Sequence, residues 1–113
     1  MAQVEHLIIF QKTYNFLKQI YSDCNNFPKS QKFVLAQRIE GISTDFLKKI
    51  ILANQIKNKL QVLKEANIEL EILRIYVRLA KDLRFLPYKR YVILSDYLNE
   101  IGRMLGGWIK SMS

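Results

Sequence analysis

Apolar residues recur along this chain at alternating steps of three and four in four separate stretches. That spacing aligns side chains on one face of an α-helix. In the first stretch, from about residue 3 to residue 24, Leu7, Phe10, Tyr14, Leu17 and Tyr21 form the stripe. Asn25-Asn26-Phe27-Pro28 ends it, because Asn favours turns and Pro cannot continue a helix. The second stretch starts near Ser30, a candidate N-cap, and carries Leu35, Ile39, Ile42, Phe46, Ile50 and Ala53 before fading between Asn54 and Asn58. The third runs from Asn58 or Lys59 to Phe85 on Leu63, Ala66, Leu70, Leu73, Val77 and Ala80, with Glu65, Glu69 and Glu71 adding helix propensity. Leu86-Pro87 breaks the pattern, with Pro87 suited to the first helical position. The fourth stretch then carries Tyr91, Leu94, Leu98, Ile101, Leu105 and Trp108.

No segment alternates polar and apolar residues as a half-buried strand does. The pattern predicts an all-α chain: four helices of about 22 to 27 residues, each roughly 33 to 40 Å long. Short breaks between them predict an up-down-up-down four-helix bundle spanning residues 1–113 as one domain, with crossing angles of about 20°.

Helices 1 and 3 carry more apolar surface than one core requires. Opposite the main stripe of helix 3 lie Ile68, Ile72, Ile75, Leu79 and Leu83, and Ile9, Phe16 and Ile20 lie away from the Leu7 to Tyr21 stripe of helix 1. An outer helix face is normally polar. The second stripe therefore predicts burial against another copy of the chain, with Ile68, Ile72, Ile75, Leu79, Ile9, Phe16 and Ile20 at the interface.

Charge narrows the function. The 113 residues hold 18 Lys and Arg against 10 Asp and Glu, a formal net charge of +8. Such an excess attracts polyanions. It is concentrated from Lys57 to Arg90, where nine basic residues face only Glu65, Glu69, Glu71 and Asp82. Arg74, Arg78 and Lys81 form a ridge beside the core stripe, and Arg84, Lys89 and Arg90 continue the charge around the helix 3–4 turn. These six are the candidate nucleic-acid-binding residues: Arg and Lys at this density contact phosphates with salt-sensitive, largely sequence-independent affinity. Tyr76, Tyr88 and Tyr91 are candidates for stacking on bases, although Tyr91 also falls on the core stripe and reads first as a core residue.

Catalytic chemistry finds no foothold. His6 is the only histidine and reads as a surface or rim residue. No Glu-x-x-His pair suggests a di-iron centre and no G-x-x-x-x-G-K loop suggests nucleotide hydrolysis, so no cofactor, metal or catalytic residue is expected. Cys24 is the single cysteine, which excludes an internal disulfide and reads as small half-buried filler. The N-terminus lacks the basic head and apolar run of a signal peptide, and no stretch is long enough to cross a membrane. A cytoplasmic location and no membrane partner are the expectation. Gly102, Gly106 and Gly107 are unusual in a helix, and Gly102 with Gly106 suggests a face that another helix approaches closely.

Three segments carry a family resemblance: FPKSQKFVLAQRIE (residues 27–40), ANIELEILRIYVRLAKDLRFL (residues 66–86) and YLNEIGRMLGGWIKS (residues 97–111). They resemble the accessory variability determinant proteins, Avd, of diversity-generating retroelements, most specifically in LAKDLR and EIGRMLGGWIK. The wider relatives are four-helix-bundle proteins encoded in intervening sequences of bacterial 23S ribosomal RNA genes. The resemblance implies a homopentameric barrel with a basic surface. It also implies binding to the element's reverse transcriptase and to its template RNA or cDNA, in support of mutagenic retrohoming and without catalysis by the chain itself. The family's basic positions map onto Arg74, Arg78, Lys81 and Arg84, and Pro87 departs from the more usual serine-like residue in the turn. The alternative is a structural interaction bundle of the intervening-sequence type, with an acidic protein as partner.

Overall fold

The computed structural model describes residues 7–112 of the chain. The expected start of the first helix at Gln3, and His6, lie outside the described residues. Four helices follow in order. Helix α1 is Ile8–Asn25. Helix α2 occupies residues 29–55 and is composite: an α-turn at Lys29–Gln31, a π-turn at Lys32–Ala36 and a regular α-helix at Gln37–Gln55. Helix α3 is Leu60–Asp82 and α4 is Tyr88–Met112. Each packs on its neighbours in the ring α1–α2–α3–α4–α1, as an up-down-up-down bundle requires. The molecule measures 43 × 22 × 21 Å, about one helix long and two helices wide.

The α3 stripe is as expected: Leu63, Ala66, Leu70, Leu73, Val77 and Ala80 are all buried. So are Leu94, Leu98, Ile101 and Leu105 of α4, while Tyr91 and Trp108 at the ends of that stripe are half-buried. In α2 the regular stripe Leu35, Ile39, Phe46, Ile50 and Ala53 is buried, with Ile42 at its edge.

Helix α1 corrects the expectation. Its core face is Ile9, Thr13, Phe16, Ile20 and Cys24, so Ile9, Phe16 and Ile20 line the core rather than an outer interface. Tyr14 and Tyr21, assigned to the core from their spacing, are each 47% exposed. The reason is chemical. A tyrosine hydroxyl is favoured where water or a polar group reaches it, and Tyr21 Oη lies 3.3 Å from Thr44 Oγ1. Tyr14 stacks on Phe10 and carries Lys18 5.4 Å from its ring centroid. Thr13 disguises the true stripe by being polar, yet it buries without penalty because its hydroxyl donates to the Ile9 carbonyl at 2.7 Å.

The start of α2 also differs. Ser30 is not the N-cap: the helix begins one residue after Pro28, whose carbonyl accepts from the amides of Gln31 (2.8 Å) and Lys32 (3.2 Å). The wider π-turn that follows lets the adjacent residues Leu35 and Ala36 both bury, and it turns Phe33 and Val34 outward. Cys24 Sγ lies 3.9 Å from the Ala36 carbonyl. Burial pushes that thiol up to about 12, so Cys24 is a core residue without nucleophilic character.

Helices α1 and α4 form the one neighbouring pair in the ring with no short loop between them. Arg90 fastens them at the end where α4 begins. Its Nε donates to Asp23 Oδ1 at 2.8 Å, and its Nη2 donates to Asp23 Oδ2 at 2.9 Å and to Gln19 Oε1 at 2.6 Å. Asp23 is 7% exposed, and the paired carboxylate holds the Arg90 guanidinium above its ordinary range. Phe27 and Phe85, with ring centroids 5.9 Å apart, close the core at the same end. Arg90→Ala strands the Asp23 carboxylate and should cost about 2 kcal/mol. Chemical denaturation at neutral pH measures it, and a cost below about 0.5 kcal/mol is the outcome expected only of an exposed pair.

Candidate nucleic-acid interface

Holding the α3 stripe inward places Arg74, Arg78 and Lys81 along the side that meets α4. There the two helices enclose a groove of about 300 Å³ lined by Arg74, Ile75, Arg78, Tyr91, Ser95, Leu98 and Asn99. Arg74 is its floor. Nη1 donates to Asn99 Oδ1 at 2.8 Å and Nη2 to the Leu98 carbonyl at 3.1 Å. Nε is buried without a hydrogen bond and lies 3.5 Å from the Glu71 carboxylate. Arg74 is thus a fixed charge that also crosslinks α3 to α4.

Gly102 makes this possible. A Cβ at that position would collide with Arg74 Nη2, whereas at Gly106 and Gly107 a Cβ meets nothing within 4 Å. The close approach expected at Gly102 is real and comes from α3 through the Arg74 side chain, whereas nothing among the described residues approaches Gly106.

The other basic residues differ in availability. Arg78 is largely in solvent: its side chain is 71% exposed, with Asp82 3.8 Å away. Lys81 Nζ sits 4.5 Å from the Tyr91 ring centroid and 3.2 Å from Asp82. Lys89 is exposed at the start of α4. Arg84 is exposed in the turn with φ 65°, the only non-glycine positive φ among the described residues. It occupies the position where a helix commonly ends on glycine: its amide donates to the Lys81 carbonyl and that of Phe85 to the Ala80 carbonyl, both at 2.9 Å. An arginine there accepts a left-handed backbone that glycine adopts without strain. Arg90 does not belong with this group. Its guanidinium is engaged by Asp23 and Gln19 of α1, so it is a structural tie rather than a ridge residue. Tyr88 is exposed near the ridge, with its ring 6.2 Å from that of Tyr91.

Ser95 and Asn99 are groove residues that sequence reasoning missed. Thr13, Ser43 and Thr44 each donate to the carbonyl four residues earlier. Ser95 makes no such bond and lines the groove with its hydroxyl available. The spacing of Ser95 and Asn99 one turn apart on α4 is visible in the sequence, but nothing there says that the shared face meets arginines.

On the outside of α3, Ile68, Ile72, Ile75, Leu79 and Leu83 form an exposed apolar strip, with Ile75 at 62% and Ile68 at 60%. The basic ridge therefore runs between the core and this strip. Among the described residues no cluster of His, Cys, Asp and Glu has the arrangement of a metal site. No helix among them is long and apolar enough to cross a membrane.

A family model described as bAvd-like matches residues 7–112. The chain belongs to the bAvd-like family. No curated protein matches it. The match covers the three segments of family resemblance, including LAKDLR, which ends on Arg84, and EIGRMLGGWIK, which contains Gly102. The longer segments of residues 66–86 and 97–111 meet where Arg74 lies against Gly102.

The Arg74–Gly102 contact reverses an ordinary rule. Gly→Ala in a helix interior normally gains about 1 kcal/mol. Gly106→Ala should show roughly that gain, because the position is open. Gly102→Ala should show none, because the methyl group displaces the Arg74 guanidinium from Leu98 and Asn99. Thermal unfolding of the two variants side by side makes the comparison, and equal stabilisation would remove Arg74 as the reason for the glycine.

Proposed function

We propose that this chain is the non-catalytic accessory protein of a diversity-generating retroelement, binding the template RNA or its cDNA and the element's reverse transcriptase in support of mutagenic retrohoming. Membership of the bAvd-like family over residues 7–112 carries this reading. The surface supports it. Arg78, Arg84 and Lys89 are exposed and close in sequence, and Arg74 and Lys81 stand beside them. The carboxylates that pair with this set are Glu71 and Asp82, two against five basic residues. A strip of fixed and free cations gives affinity for a phosphate backbone without requiring a particular base sequence.

The exposed strip on α3 supports assembly. Five large aliphatic residues on one outer helix face make an apolar patch suited to burial between copies. The proposed interface is Ile68, Ile72, Ile75 and Leu79, with Leu83 beside them and without Ile9, Phe16 and Ile20, which line the core. A pentamer is the state the family implies, and it would array the basic ridges around a common axis.

Two measurements test the reading. The double variant Arg78→Glu, Lys89→Glu changes exposed residues and should keep native helicity. Its affinity for RNA should fall at least about ten-fold at 0.1 M salt, and the slope of log affinity against log salt should shrink by roughly 0.7 for each phosphate that is no longer neutralised. Unchanged affinity would reject the ridge. Absence of binding by the unmodified chain at low salt would favour an acidic protein partner instead. For assembly, light scattering at micromolar concentration should show an oligomer that Ile68→Glu, Ile72→Glu dissociates. A monomeric unmodified chain contradicts it.

A further inference from the structure

The α3–α4 groove is more than a flat cationic surface, because its walls are mixed. Tyr91 supplies aromatic surface and Ile75 an apolar edge, while Ser95 and Asn99 supply hydrogen-bonding groups one turn apart on α4; Leu98 is buried and presents its backbone carbonyl to Arg74. Asn99 Oδ1 is taken by Arg74, which leaves the Asn99 amide NH2 as a donor. Among the described residues the Ser95 hydroxyl has no hydrogen-bond partner, and a hydroxyl both donates and accepts. At the rim stands Arg78, exposed, with its ion pair to Asp82 at 3.8 Å. On the Tyr91 side, Lys81 adds charge 4.5 Å from the ring.

We propose that this groove is a nucleotide subsite that takes one unstacked base of a single strand. Its phosphate sits on Arg78 and its base lies against Tyr91, with polar edges toward Ser95 and Asn99. The proposal rests on the nucleic-acid reading above and sharpens it to strandedness. A space of about 300 Å³ admits a single nucleotide unit. In a duplex the base faces are stacked inside and only phosphates, sugars and base edges are accessible, so a duplex engages Arg78 but leaves the Tyr91 face empty. A single strand uses both, as do other surfaces that pair cations with an aromatic face. Arg74 acts as a positioning residue: both its Nη atoms are engaged by α4, so it fixes Asn99 and the depth of the groove rather than reaching for phosphate.

The test compares a 20-nucleotide oligouridine with a 20-base-pair RNA duplex by fluorescence anisotropy at low salt. The unmodified chain should bind the single strand about ten-fold more tightly per site, the share that one seated base contributes. Ser95→Leu fills the groove and should reduce single-strand affinity to the duplex level, leaving duplex binding and helicity unchanged. Photo-crosslinking of a 4-thiouridine oligomer to the unmodified chain is independent of any variant's folding. It should label the tryptic peptide of residues 91–103, which holds Tyr91, Ser95, Leu98 and Asn99. Equal affinity for both probes with no label on that peptide overturns the subsite and leaves the basic ridge standing. Binding to neither probe overturns the ridge as well.

Discussion

The six inward side chains of α3, Leu63, Ala66, Leu70, Leu73, Val77 and Ala80, are each no more than 1% exposed. A rigid helix holding six consecutive layers of core cannot rotate without exposing several of them, at about 1.5 to 3 kcal/mol for each large aliphatic group. That phase fixes everything else on the helix. It sends Arg74, Arg78 and Lys81 toward α4, and Ile68, Ile72, Ile75 and Leu79 outward. It also sends Glu69 toward α2, where Lys49 Nζ reaches it at 3.1 Å. The proposed binding and assembly surfaces are therefore two consequences of one packing decision.

The same constraint explains why the basic residues are not equivalent. Arg74 faces the seam closely enough for its guanidinium to cross it, and the missing side chain of Gly102 gives it room. One turn further along, Arg78 clears the seam and remains in solvent. Arg90 lies on α4 but faces α1, and it is neutralised there. Of three arginines that look alike in composition, one shapes the groove, one is free to bind and one holds the bundle shut.

How much of this the sequence discloses depends on whether the deciding partner is near or far along the chain. The α3 stripe is legible because it is uninterrupted and aliphatic, and so is the outer strip, since it repeats the period on the opposite face. The α1 face is not legible, because Thr13 occupies a core position and only the hydrogen bond to the Ile9 carbonyl makes that tolerable. The π-turn in α2 leaves no mark in a spacing rule built on the α-helix. The role of Arg90 depends on Asp23, 67 residues away, which no local pattern connects to it. The turn after α3 conceals itself differently. Its hydrogen bonds are those of a glycine-ended helix, but Arg84 stands where glycine is usual.

Arg84 joins the two themes. A residue that bends the chain into the left-handed region costs roughly 1 kcal/mol more as arginine than as glycine. The bend is needed, because it satisfies the last carbonyls of α3 and carries Phe85 and Leu86 back toward the core. The guanidinium is not needed for that bend, since glycine would provide it with less strain. What arginine adds is a permanent, exposed positive charge in the turn between the ridge of α3 and Lys89 at the start of α4. Arg84 thus gives the turn a charge that a glycine-ended helix would lack, and the left-handed backbone is the cost of carrying it there.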